Sequence, residues 1–227
     1  MNKTKIPRAT HSWNPVTGCE KVSSGCQNCY AWTWAQRFKG GKFPVEFHSD
    51  KLKEPHKIKN PARIFVNSMS DLFHEDVKRY QIGLILQTVQ DCPHHTFMVL
   101  TKRPERFQEV FCNVLPPANL WLGVTAENQE MADKRIPLLL RIPAKVRFVS
   151  VEPLLGPITF HKLMTGTNKA EWIIVGPETG RNHRFCDDKW IEGIWNECQF
   201  NHIPFFDKRD NFQAREYPET YTLEKTI

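Results

Sequence analysis

Six short apolar runs recur along the chain, and each ends in a polar or charged cluster. They are "RIFVNSMSD" (Arg63 to Asp71), "TFMVLTKR" (Thr96 to Arg103), "LWLGVTAEN" (Leu120 to Asn128), "VRFVSVEP" (Val146 to Pro153), "WIIVGPETG" (Trp172 to Gly180) and "IPFFDKRD" (Ile203 to Asp210). Their apolar parts start at Ile64, Phe97, Leu120, Val146, Trp172 and Ile203, 23 to 33 residues apart. Each interval holds one strand, one helix and two loops. The runs are rich in Val, Ile and Phe and hardly alternate, as expected of strands buried on both faces. Between them the apolar period changes to that of a helix. Phe107, Val110, Phe111 and Val114 share one helical face. "YQIGLILQTVQ" reads as a helix packed on a sheet. "WIEGIWNECQF" aligns Trp190, Ile194, Trp195 and Cys198 behind Asp187 and Asp188, which suit a helix N-terminus. Tyr30, Trp34 and Phe38 stand four apart. "TFHKLMTGTNKAE" allows one short helix at best.

Repeated strand–helix units imply a parallel sheet with right-handed crossovers. No G-x-G-x-x-G phosphate loop is present, which argues against an open dinucleotide-binding layer. The 227 residues fall short of the roughly 250 of a complete eight-unit barrel. The expected fold is therefore α/β, a partial (β/α)6-7 TIM-like barrel. The expected organisation is a single domain over 1–227, with a loop at 17–32, β/α repeats over 63–210 and a C-terminal tail at 211–227. His11 to Asn14 is expected to be a short first strand.

In such barrels chemistry sits at the C-terminal ends of the strands. Those ends carry Ser68, Ser70 and Asp71; Thr101, Lys102 and Arg103; Thr125, Glu127 and Asn128; Ser150 and Glu152; Glu178; and Asp207 and Lys208. Any one could be polar only because strand ends meet water. All six units delivering such groups to one rim argues for a site there.

Composition narrows the class. No apolar run approaches the roughly 20 residues of a membrane span, and "MNKTKIPRATHSW" lacks the apolar core of a signal peptide. The expectation is a cytoplasmic chain with no membrane partner, where thiols stay reduced. Its seven cysteines then point to metal or redox chemistry more than to disulfides. A net charge of +6 is consistent with a polyanionic partner such as nucleic acid, and equally with a solvated basic surface.

The cysteines carry the sharpest signal. "TGCEKVSSGCQNCYAW" puts Cys19, Cys26 and Cys29 in a C-x6-C-x2-C loop, with Gly18 and Gly25 giving it freedom to wrap. Three readings are open. Structural zinc takes four ligands, and the fourth would be a distant residue such as His11, His48 or Cys186. An iron–sulfur cluster held by three thiolates leaves one iron open for a ligand. The third reading is ordinary thiols. Of the other cysteines, Cys92, Cys112 and Cys198 read as packing residues and Cys186 as a loop thiol. His94 and His95 read as turn residues.

A three-cysteine loop after the first strand of a partial parallel barrel resembles the radical S-adenosylmethionine (SAM) superfamily. More narrowly, "WNPVTGCEKVSSGCQNCYA", "SMSDLFH", "LTKRPERF", "LGVTAEN", "FVSVEPLLGPI" and "IIVGPETG" resemble a phage-type family of radical SAM-like proteins, from about Trp13 to Lys208. The resemblance implies that Cys19, Cys26 and Cys29 each ligate one iron of a 4Fe–4S cluster. SAM would chelate the fourth iron. One electron from an external donor would split the sulfonium, and the 5′-deoxyadenosyl radical would take a hydrogen atom from the substrate. The cofactor supplies the hard chemistry and the protein orients it.

Within that frame, Ser68, Ser70 and Asp71 are candidates to hold the SAM amino group. Lys102 or Arg103 would pair with its carboxylate. Glu127, Asn128 and Glu152 would bind ribose hydroxyls. Tyr30 would pack on adenine or anchor its helix. Glu178 and Lys208 are candidates for substrate contact, and His74 for proton transfer. Three departures stand out. The usual spacing is three then two, not six then two. The glycine–glycine–glutamate segment is missing at "SMSDLF", and Pro177 interrupts "GPETG". The expected substrate is a nucleic-acid base or nucleotide, which a barrel mouth could receive flipped out. The alternatives are a radical SAM enzyme acting on a peptide or small molecule, and a zinc-stabilised, non-catalytic nucleic-acid-binding protein.

Overall fold

The computed structural model describes residues 1–161, 163–164, 166–180, 182–209 and 215–218. Most of the expected C-terminal tail lies outside them, as does the last residue of the "IPFFDKRD" run.

The strands are β1 (Asn2–Lys3), β2 (His11–Trp13), β3 (Val16–Thr17), β4 (Glu46–Phe47), β5 (Arg63–Val66), β6 (Thr96–Thr101), β7 (Leu120–Thr125), β8 (Val146–Val151), β9 (Trp172–Val175) and β10 (Phe205–Asp207). The helices are α1 (Tyr30–Phe38), α2 (Arg79–Asp91), α3 (Phe107–Phe111), α4 (Gln129–Leu140) and α5 (Asp188–Phe200). One eight-stranded sheet runs in the order β1-β2-β5-β6-β7-β8-β9-β10. From β2 onward every neighbouring pair is parallel. The strands follow chain order, so each crossover returns to the same growing edge. This is the expected α/β partial barrel of parallel strands. β1 adds an antiparallel edge to β2, with Lys3 opposite His11. β3 and β4 form a separate antiparallel pair behind the cysteine loop.

Successive residues of each strand enter two different cores, because side chains alternate across a sheet. Ile64, Val66, Phe97, Val99, Leu122, Val149 and Ile173 pack under the helices. Phe65, Met98, Trp121, Phe148, Trp172, Ile174 and Phe206 fill the opposite, inner face. Both sets are apolar, which is why the runs show no alternation. Ala9, Ile6 and Tyr217 complete the inner cluster from outside the strands. The lower barrel is therefore packed with rings.

Local rules set the helix limits. The side chain of Asn128 accepts a bond from the Met131 amide at 3.0 Å and caps α4. Asp187 caps α5 through the Lys189 amide at 2.9 Å, as its place before that helix predicts. α3 stops at Phe111, so Val114 does not join the face of Phe107, Val110 and Phe111 and is exposed. The β8–β9 connection contains no helix among its described residues. α1 differs from the usual amphipathic pattern. It buries Ala31 and Ala35, and leaves Tyr30, Trp34 and Phe38 outward.

Candidate functional site

The C-terminal ends of the parallel strands enclose a cavity of about 310 Å³. Cys19, Cys26 and Cys29 line one wall, and Lys102, Glu152 and Lys208 lie among the groups around the rest. The β1–β2 segment adds Ile6 and Arg8.

The cysteine loop is fastened at several points. The Gly18 amide donates to the Met69 carbonyl at 3.0 Å, joining the loop to the end of β5. Gly18 has φ +91°, and a Cβ there would stand 1.8 Å from the Pro44 carbonyl oxygen. Only glycine fits that turn. The Gly25 amide donates to Glu127 Oε1 at 3.3 Å, and a Cβ at Gly25 would meet that carboxylate at 3.0 Å. The Asn28 amide group, between the last two cysteines, donates to Glu178 Oε2 at 2.9 Å and to the Asn182 carbonyl at 3.0 Å. Cys29 is the N-cap of α1, at the positive end of that helix.

Arg103 stands beside the first cysteine. Its guanidinium lies 3.7 Å from Cys19 Sγ, 3.3 Å from the Glu20 carbonyl and 3.6 Å from Asp71. Burial pushes the Cys19 thiol up to about 11, reinforced by the Asp71 carboxylate and opposed by Arg103. A metal must displace that proton, and Arg103 is the nearby cation that favours the thiolate.

Several expected cofactor ligands are engaged with the protein itself. Asp71 accepts from the Thr101 hydroxyl at 2.6 Å and from the Phe73 and Lys102 amides, both at 3.0 Å. The Ser68 hydroxyl donates to Asn14 Oδ1 at 3.1 Å, and that of Ser70 to the Val16 carbonyl at 2.9 Å. Tyr30 hydrogen-bonds the Ser68 carbonyl. All four residues line the cavity. They tie the β5 loop and α1 together.

Glu127 and Asn128 are not among the lining residues. Glu127 is fully buried and pairs with Arg135 at 2.8 Å. Burial opposes its ionisation, but Arg135, the Ser23 hydroxyl and Lys102 together outweigh it and hold the carboxyl below its usual range. Asn128 is spent as the cap of α4. His74 is also fully buried and outside the lining. Its Nδ1 accepts from the Asp76 amide at 3.1 Å, and burial lowers its pKa. Glu178 lines the cavity but is held by the Arg184 guanidinium, which lowers its pKa to about 2.

Two expected residues face the cavity with charge that a ligand can use. Lys102 Nζ has the neutral Thr125 hydroxyl at 3.5 Å. Glu152 pairs with Lys208 and lies 3.7 Å from Arg8. Burial opposes its ionisation, and Lys208 and Arg8 outweigh that to keep it ionised. Arg8, Asn28, Arg135 and Arg184 were not foreseen. Asn28 alone carried a signal, its place inside the C-x2-C.

Among the described residues no three His, Cys, Asp or Glu side chains are arranged to hold one metal ion. Thiolates that each bind a different iron stand farther apart than ligands sharing one ion. The donor set, three cysteines of one loop lining the cavity with a cation beside Cys19, has the chemistry to hold such a cluster.

Residues 3–221 match the family described as Protein of unknown function (DUF5131), and the chain belongs to that family. No curated protein matches the sequence. Among solved structures, a cysteine-to-serine mutant of spore photoproduct lyase shares the fold with a TM-score of 0.62 at 9% identity, over 92% of this chain and 78% of that one. A cysteine-to-alanine mutant with dinucleoside spore photoproduct gives 0.62 at 10% identity over the same shares. A double mutant with bound AdoMet and dinucleoside spore photoproduct gives 0.51 at 10% identity, over 88% and 53%. At these identities the likeness is one of fold. No helix among the described residues is long and apolar enough to cross a membrane.

Proposed function

We propose that the chain is a radical SAM enzyme whose substrate is a nucleic-acid base or nucleotide. One observation carries the reading: three thiols line a single cavity at the C-terminal mouth of a parallel partial barrel. The fold neighbours include a spore photoproduct lyase with AdoMet and a dinucleoside bound, which supports both halves of the reading.

Cys19, Cys26 and Cys29 would hold a 4Fe–4S cluster, and the cluster with SAM would supply the one-electron chemistry that abstracts a hydrogen atom. The remaining work belongs to the chain. Arg103 favours the Cys19 thiolate and fixes the loop to Asp71. Lys102 is the cation placed for a ligand carboxylate. Asp71, Ser68, Ser70 and Tyr30 hold the β5 loop and α1 in register. Glu127, Asn128 and His74 act from behind the wall as supports. Glu152, with Lys208 and Arg8, presents a fixed ionised carboxylate on the substrate side. The aromatic inner core fills the barrel below, which limits access of water to a reactive species from that side.

The test is anaerobic reconstitution with iron and sulfide, followed by iron and sulfide analysis. The wild type should take up four of each per chain. Cys19→Ala, Cys26→Ala and Cys29→Ala should each lose most of it. Undiminished iron in all three variants would remove these residues as ligands.

A further inference from the structure

Apart from the Tyr30 hydroxyl, which bonds the Ser68 carbonyl, the aromatic stripe of α1 has no role among the contacts described above. Tyr30, Trp34 and Phe38 are 61%, 40% and 60% exposed. They stand at i, i+4 and i+8, one above another at about 6 Å per step. The Trp34 and Phe38 rings lie 5.8 Å apart. Three exposed rings on one short helix cost solvation, and the core does not use them, since α1 packs through Ala31 and Ala35. The helix starts at the cavity, because its N-cap is Cys29 and Tyr30 itself lines the wall.

The charge around the stripe is one-sided. Between the exposed Glu20 and Glu46 the chain contains Lys21, Arg37, Lys39 and Lys42 and no Asp or Glu. All four are exposed. The Arg37 guanidinium sits 5.2 Å from the Phe38 ring centre, and Lys21 Nζ 5.8 Å from that of Trp32. A row of exposed rings with Arg37 against Phe38, and Lys39 and Lys42 just after it in the chain, is complementary to an unpaired nucleic-acid strand. Bases stack on the rings and phosphates meet the lysines and the arginine. A protein partner or a second copy of the chain would be served by the rings alone and gives no reason for the exposed run of Arg37, Lys39 and Lys42 at the end of the helix.

We infer that the outer face of α1 is a binding track for single-stranded nucleic acid that leads a base to the cavity. It rests on the nucleic-acid half of the proposed function and is independent of the cluster half. The neighbouring Tyr30 is the last ring before the cavity wall. Trp34 and Phe38 would hold the bases that follow.

The test is fluorescence anisotropy of a labelled twenty-nucleotide oligothymidine, titrated at stepped salt against the whole chain. The wild type should bind, with log K falling linearly in log salt. Trp34→Ala and Phe38→Ala should each weaken binding about tenfold and leave the salt slope unchanged. Lys39→Ala with Lys42→Ala should lower the slope by about 1.4, two phosphate contacts at roughly 0.7 each. Wild-type protein that fails to bind the strand, or ring variants that bind as well as wild type, would overturn the track. So would a dimer that the ring variants convert to monomer, which would assign the face to a second copy. Binding by protein that takes up no cluster would keep the track and sink the enzyme. A loaded protein indifferent to the strand would do the reverse.

Discussion

Replacing Glu127 by glutamine asks whether one buried ion pair fastens the cysteine loop to the barrel. Glu127 is fully buried, and the Arg135 side chain is 4% exposed, with 2.8 Å between them. Arg135 also donates to the Thr125 carbonyl at 2.8 Å, so it cannot swing out to water without losing both bonds. Glutamine keeps the shape and can still accept from Gly25, but its NH2 group then faces Arg135, so the change removes the charge and the Arg135 hydrogen bond together. Removing one partner of a buried pair leaves the other charge uncompensated, at a cost of about 3–5 kcal/mol. That is about a third to a half of a domain stability of roughly 10 kcal/mol. With a urea slope of about 3 kcal/mol per M, the midpoint should fall by about 1–2 M. Urea titrations followed by tryptophan fluorescence measure it. Adding Arg135→Met removes the stranded charge and should recover much of the loss, a non-additivity expected of contacting residues. A loss under about 1 kcal/mol, or a double variant no more stable than the single one, would refute the reasoning.

Other outcomes follow from the same geometry. Gly18→Ala should leave the barrel folded, by circular dichroism, but lower iron uptake severalfold, because the added methyl meets the Pro44 carbonyl at 1.8 Å. Asp71→Ala should lower thermal stability by several degrees whether or not SAM is present, since its carboxylate holds three protein donors. Glu178 predicts a pH dependence. Its folded pKa of about 2 lies below the roughly 4.3 of a free glutamate, so its contribution is complete above about pH 5 and is lost as pH falls towards 2. Urea midpoints of wild type and Glu178→Gln should therefore differ at pH 7 and converge near pH 2 to 3; a constant gap would count against the Arg184 clamp.

The barrel was legible because its strands are buried on both faces, and short, non-alternating apolar runs separated by helical periods have few other solutions. The rim was legible for the same reason, since polar groups at strand ends gather wherever parallel strands end together. What each rim residue does was not. Asp71 and Glu127 look alike in sequence, each a carboxylate just past a strand. One lines the cavity and the other lies behind it, and partner choice decides this: Thr101 for the first, Arg135 for the second. Both partners come from other elements, and no local pattern announces them. The stripe on α1 shows a related limit. A spacing of four marks a helix, but it does not say which side packs. The two alanines allow closer approach than the rings, and the rings face out.

The most direct test of the central claim is the electron paramagnetic resonance spectrum of the anaerobically reconstituted, reduced protein, recorded with and without SAM. The account predicts a reduced-cluster signal that shifts when SAM is added, because SAM binds the iron that the three cysteines leave open. A protein that takes up no cluster and holds one zinc, or a cluster signal indifferent to SAM, would contradict it.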